Sequence, residues 1–168
     1  MISPAYVATM ARYNEWQNRS LLTAAEDLDD AARNLPRGAF FGSIFGTFNH
    51  LLWGDAMWLH RFAGTARPPG GIKDSPGYFI DWAAFRTERA RTDDAILGWA
   101  DAISDDWLAG ELSWVSSAAN RQLSRPRALL VTHFFNHQTH HRGQIHAMLT
   151  AAGARPWDTD LMLTPWAS

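Results

Sequence analysis

The sequence predicts an all-α protein folded as a four-helix bundle, on three observations. Four stretches of about 20 to 30 residues carry a helical apolar period, strong breakers separate them, and neither a strand–helix alternation nor an internal repeat interrupts them. At 168 residues the chain suits one domain with a sizeable core, so residues 1–168 are read as a single unit.

Ser3 followed by Pro4 has the form of an N-cap and first-turn proline, and the pattern that starts there runs through Tyr13, Trp16 and Leu21 to about Ala32. Pro36 and Gly38 end it. A second helix covers about 43–62, stopped by Gly64 and by Pro68, Pro69, Gly70 and Gly71, the strongest loop signal in the chain. A third covers about 79–103, where Arg86, Glu88, Arg89, Arg91, Asp93 and Asp94 read as a solvated face. Ser124 can cap the fourth, with Pro126 in its first turn and Gly153 after Ala152. Between the last two, Leu112 and Trp114 alternate and the turn residues Ser116 to Asn120 follow, which suggests a short β-hairpin. The segment after Arg155, with Trp157, Asp158, Asp160 and Trp166, is too apolar for a disordered tag and is expected to pack on the bundle.

Hydrophobic residues make up 46% of the chain and nine are tryptophan, more than the interior requires, so some should line a pocket or a subunit contact. The same excess points to a homodimer formed through helices apolar on two faces. A net charge of −2 with scattered Lys and Arg offers no footprint for nucleic acid or an anionic membrane. Without cysteine there are no disulfides, thiolate ligands or cysteine nucleophiles, so a metal must be held by nitrogen and oxygen and a thiol must come from outside. No apolar stretch approaches the roughly 18 residues of a membrane span and no leader pattern opens the chain, so a cytoplasmic protein is expected. Neither a Ser-His-Asp ordering nor a phosphate-binding glycine loop is present.

The chemistry-bearing stretch is HFFNHQTHHRGQIH at 133–146, with five histidines in fourteen residues. With His133 at 0° and about 100° per residue, Leu130, Phe134, His137, His141, Ile145, Met148 and Ala152 fall between about 40° and 120°. His137 and His141 therefore lie inside the apolar stripe. His133 and Gln144 sit at its edge with His140 slightly further out, and His146 and Arg142 point away, Arg142 as a surface or dimer-contact residue. An i, i+4 pair stacks two imidazoles on one helix face within reach of a single ion, whereas burying both unpaired costs on the order of 1 to 3 kcal/mol each. The general-base Glu of an HExxH metalloprotease helix is absent.

A third ligand must come from a facing helix, and His50, His60 and Asp55 are the candidates on the second. Asp55 lies in the stripe formed by Ile44, Phe48, Leu51, Leu52, Trp58, Leu59 and Phe62, while His50 lies more than about 100° from its centre. Trp53 and Met57 flank His50, so this helix is apolar nearly all round, and Thr47 and Gly54 are small enough to leave space beside it. Spacing alone leaves His50 and Asp55 both open.

NHLLWGDAMWLHRF on the second helix and HFFNHQTHHRGQIHAML on the fourth resemble the DinB/YfiT-like family of small metal-binding four-helix bundles. Tyr13, Asn14 and Trp16, and Thr159, Asp160 and Leu161 after the last helix, are similar to that family's flanking pattern. The resemblance covers nearly the whole chain and implies His50, His137 and His141 as ligands of a divalent ion, zinc or nickel. Asp55 then becomes a carboxylate behind the ligands or a buried helix-pairing acid. Three nitrogens leave a coordination position open, the arrangement of a catalytic site. Relatives of this kind imply a thiol-S-transferase, or a hydrolase using water, with a low-molecular-weight thiol as partner. His133 and Gln144 can orient a ligand or meet substrate, and Asn14 and Trp16 are candidate pocket residues if the first helix borders the site. The alternative is a non-catalytic metal- or small-ligand-binding stress-response dimer, its metal closed off by Asp55 or His133.

Overall fold

The structure, a computed structural model, describes residues 1–116 and 120–166. Four long helices, α1 (Pro4–Glu26), α3 (Ile44–Ala63), α4 (Trp82–Asp101) and α6 (Arg127–Ala151), form the bundle. Two short helices, α2 (Asp30–Asn34) and α5 (Asp105–Ala109), and an antiparallel hairpin of β1 (Glu111–Ser116) and β2 (Arg121–Pro126) lie in the connections. The predicted architecture is therefore the observed one, including the hairpin before the last helix.

Helix starts follow local chemistry. The Ser3 hydroxyl accepts from the Tyr6 amide ahead of Pro4, Ser43 accepts from Gly46, and Asp81 accepts from Ala84. Gly64 ends α3 at φ 69°, a left-handed conformation that glycine adopts without a Cβ penalty. Two boundaries differ from expectation. The first helix stops at Glu26 because Asp29 caps a new short helix through Ala32, while Arg33 folds back onto the carbonyls of Ala25 and Leu28. Ser124 does not cap α6: it is a strand residue whose hydroxyl bonds Ser113 and Glu111 across the hairpin. Of the expected turn, residues 117–119 lie outside the described residues, and Asn120 has φ 47°.

The interior is divided into three layers. One apolar cluster, including Val7, Leu59, Phe62, Ile96, Trp99 and Phe134, fills the hairpin end, and a second, including Leu21, Ile44, Phe48, Phe85, Ile145 and Leu149, fills the other. Between them every long helix contributes buried polar groups: Asn14 and Asn18 from α1, Asp55 from α3, Arg89 and Asp93 from α4, Gln138 and Arg142 from α6. Arg89 donates to Asp55 at 2.6 Å and to Asp93 at 2.8 Å, Asn18 donates to Asp93 at 2.8 Å, and Gln138 donates to Asp55 at 3.0 Å. Arg142 donates to Asn14. The charges read from sequence as a solvated face on the third helix thus include an interior ion-pair network. Burial pushes the Asp93 carboxyl up to about 7 even with the Arg89 guanidinium beside it.

Arg142 is 5% exposed, which corrects its reading as a surface residue. Val131, Phe135, Gln138, Arg142 and Leu149 are buried as well as most of the predicted stripe, of which His137 and Ala152 are half-buried, so the buried arc of α6 reaches about 200° on the wheel. The added flank packs on α1, where Asn14 accepts from Arg142. The C-terminal segment returns to α1 as expected, with Tyr13 donating to the Thr159 carbonyl at 2.6 Å, Gln17 to that of Asp158 at 2.9 Å, and Trp16 contacting the rings of Trp157 and Trp166. Among the described residues no helix is long and apolar enough to cross a membrane.

Candidate metal centre

Across the groove between α3 and α6, His50 faces His137 and His141. One ligand-type nitrogen from each lies within 4.8 Å of the others, and the Nε2 atoms of His50 and His137 are 3.2 Å apart. Two nitrogens held tetrahedrally at about 2.0 to 2.1 Å from one zinc ion are separated by about 3.3 Å, so this pair already has ligand spacing.

Neighbouring groups determine which nitrogen carries the proton. The Ser75 hydroxyl donates to the Ile72 carbonyl at 2.6 Å, so toward His50 Nδ1, 2.8 Å away, its oxygen accepts and Nδ1 carries hydrogen. His141 Nδ1 lies 2.8 Å from Gln144 Oε1, an atom that only accepts. Both rings therefore turn an unprotonated Nε2 away from these partners, the tautomer a metal ligand needs. Burial lowers His50 to about 3, with His141 adding to the shift, and lowers His137 to about 3, with the other histidines adding. His141 is lowered too, first by burial. All three are neutral at pH 7. The facing Nε2 atoms, together with a His137 Nδ1 that is buried without a partner among the described residues, make a donor set that fits a divalent cation better than it satisfies itself.

Packing holds the rings in place. The Phe41 ring stacks on His50 at 3.6 Å between centroids and meets His141 edge-on at 5.4 Å. A Cβ built on Gly54 would stand 2.9 Å from His137 Cε1, so the missing side chain is the space the imidazole occupies. The loop after α3 is pinned to that helix by Trp53 donating to the Pro69 carbonyl at 2.8 Å and by Asn49 donating to those of Pro76 and Phe79. This pinning delivers Ser75 to His50.

The predicted residues sort as follows. His50, His137 and His141 come together, and Gln144 contacts His141 as an orienting partner. Asp55 faces Arg89 and Gln138 in the polar layer instead of joining the histidine group. His133 is exposed, one turn before His137 with ring centroids 6.0 Å apart, and lines the adjoining cavity. Asn14 and Trp16 do not line it: the first bonds Arg142 and the second packs under the C-terminal segment. Of the two small residues on α3, Gly54 borders the cavity while Thr47 bonds its own helix through the Ser43 carbonyl. Spacing had not pointed to Ser75 or Phe41, loop residues whose placement depends on how the loops return to α3.

The cavity has a volume of about 720 Å³ and opens from His50 and His137 between α3, the loop after it and β1. Trp53, Trp58 and Trp114 form much of its wall, which accounts for part of the tryptophan excess. Its size is that of a small-molecule site.

The family model described as DinB family matches residues 1–168, the whole chain. No curated protein and no solved structure matches the chain.

Proposed function

The chain belongs to the DinB family, and from that premise we propose that it is a metal-dependent enzyme whose His50, His137 and His141 hold a divalent ion, zinc or nickel. In this reading it activates a small thiol or a water molecule, as a thiol-S-transferase or a hydrolase. The observation that carries the proposal is the convergence of three neutral imidazoles, two of which, His50 and His137, line a cavity large enough for a substrate. Asp55, the sequence's other candidate for closing the coordination, is engaged with Arg89 and Gln138, which supports an open position.

The ion would supply the acidification of a thiol or water near neutral pH that neutral imidazoles cannot supply themselves. The chain's own residues do the rest. Ser75 and Gln144 hold the imidazole tautomers, Phe41 and Gly54 set the ring planes, and Trp53, Trp58 and Trp114 line the approach. The absence of cysteine fits a thiol supplied from outside, in the cytoplasm.

The experiment is metal analysis of untagged protein with His50→Ala, His137→Ala and His141→Ala, followed by a screen of metal-loaded protein against electrophiles with different small thiols. One ion per chain in the wild type and loss of it in each variant is the expected result. Full metal content in all three variants removes the proposed ligand set. A non-catalytic binding role is the second reading, favoured by His133 standing one turn from His137, where it can close the coordination. It predicts a metal that does not exchange its remaining ligand and no turnover with any thiol. We also propose a homodimer, to which exposed Phe40 and Ile80 offer apolar contact; light scattering showing a monomer at micromolar concentration rejects it.

A further inference from the structure

The cavity beside the histidines is cationic in a protein whose net charge is negative. Arg61 and Arg67 line it, and no Asp or Glu does so among the described residues. Arg61 is the deeper arginine, half-buried, and its Cζ sits 4.6 Å from the Trp58 ring centroid and 5.7 Å from that of Trp114. The two indoles brace the guanidinium without satisfying any of its N–H groups. Arg61 forms no hydrogen bond or ion pair among the described residues, unlike Arg89, which has two carboxylates. A planar fork of donors held against aromatic rings, with no acceptor, is arranged to receive an oxyanion edge-on. Burial and the neighbouring Arg67 charge both disfavour the Arg61 cation, and the charge of an anionic ligand would offset both.

The position of this charge sets the ligand's length. Gly54, which touches the His137 ring, is seven residues before Arg61, a rise of about 10 Å along α3. His133 stands between, in ring contact with His137 on one side and Trp58 on the other. We propose that the cavity binds a small, elongated molecule with a carboxylate or similar oxyanion at one end, held by Arg61, and its reacting end at His50 and His137. The assignment of the reacting end rests on the metal-centre reading, whereas the anion site does not need the ion.

The test compares an acid with its uncharged counterpart. Calorimetric titration of zinc-loaded protein with 6-mercaptohexanoate and 6-mercaptohexanamide should show the acid binding at least about tenfold tighter. Arg61→Gln should remove that preference while leaving the amide's affinity within about twofold, and Arg61→Lys, which restores the charge, should keep part of it. Metal-free protein titrated with hexanoate and hexanamide, read by tryptophan fluorescence, should show the same preference. Failure of zinc to bind would reject the metal centre while this second comparison still judges the anion site. Equal affinities for acid and amide in the wild type overturn the proposal. So does a preference that survives Arg61→Gln, or an Arg61→Lys protein as indifferent as Arg61→Gln. Should Arg61→Gln fail to fold, the wild-type preference must still shrink as salt is raised, and a salt-independent preference would overturn the proposal.

Discussion

Gly54→Ala tests whether the space beside α3 belongs to a metal ligand. An added Cβ would lie 2.9 Å from His137 Cε1, whereas ordinary carbon contacts start near 3.4 Å, so the ring must retreat by about 0.5 Å. Cε1 joins the two ring nitrogens, so the retreat is taken at the coordinating end. Metal–ligand distances tolerate about 0.2 Å. Zinc affinity should therefore fall about 10- to 100-fold, in the range found when support for a ligand is lost. Stability should respond differently: the helix gains about 1 kcal/mol from Gly to Ala, against an overpacking cost of about 1 to 3 kcal/mol. Chelator competition reads the affinity and urea denaturation of metal-free protein reads the stability. In a His137→Ala background the clash is gone, and the same substitution should become stabilising by about 1 kcal/mol. Wild-type zinc affinity in Gly54→Ala, or the same stability effect in both backgrounds, would refute the reasoning.

Ser75→Ala removes the acceptor that keeps hydrogen on His50 Nδ1, and zinc affinity should drop about tenfold or more with the fold intact by circular dichroism; an unchanged affinity assigns Ser75 to packing alone. Asp55→Ala leaves Arg89 without one of its two carboxylates and should cost about 3 to 5 kcal/mol in metal-free protein, measured by urea denaturation, whereas a loss seen only with metal bound would make Asp55 a ligand. Acid should weaken the metal-free protein through His50, which is 5% exposed and lowered from 6.5 to about 3. Both states are neutral above pH 6.5. Between 6.5 and about 3 only the unfolded imidazole binds a proton, so stability falls as pH falls, by about 1.4 kcal/mol per unit. Wild type should lose about 2 kcal/mol more than His50→Gln between pH 7 and pH 5, and parallel pH profiles would exclude this origin.

The i, i+4 spacing of His137 and His141, the cap at Ser3 and the breakers around Gly64 and Gly70 are local signals, and each is found where the chain's chemistry puts it. The buried polar layer was not legible in the same way. Arg89 and Asp93 share a helix face with exposed charges, and a wheel cannot distinguish an acid facing water from one facing a guanidinium across the core. Arg142 was misplaced for the same reason, because a single-stripe reading has no place for the second flank that α1 covers.

His50 against Asp55 is the clearest case. Spacing leaves the two open, family resemblance implies His50, and the fold buries both on different sides of α3, one toward the cavity and one toward Arg89. The sequence by itself determined four helices, the hairpin and the presence of an imidazole pair, because these follow from contacts within a few residues of chain. Only the tertiary structure decided which nitrogens are free, which small residue makes room for His137, and where Arg61 faces an opening. Those depend on hydrogen bonds and packing between segments 25 to more than 80 residues apart, from Ser75 to His50 and from His137 to His50, and local propensity carries no record of such pairings.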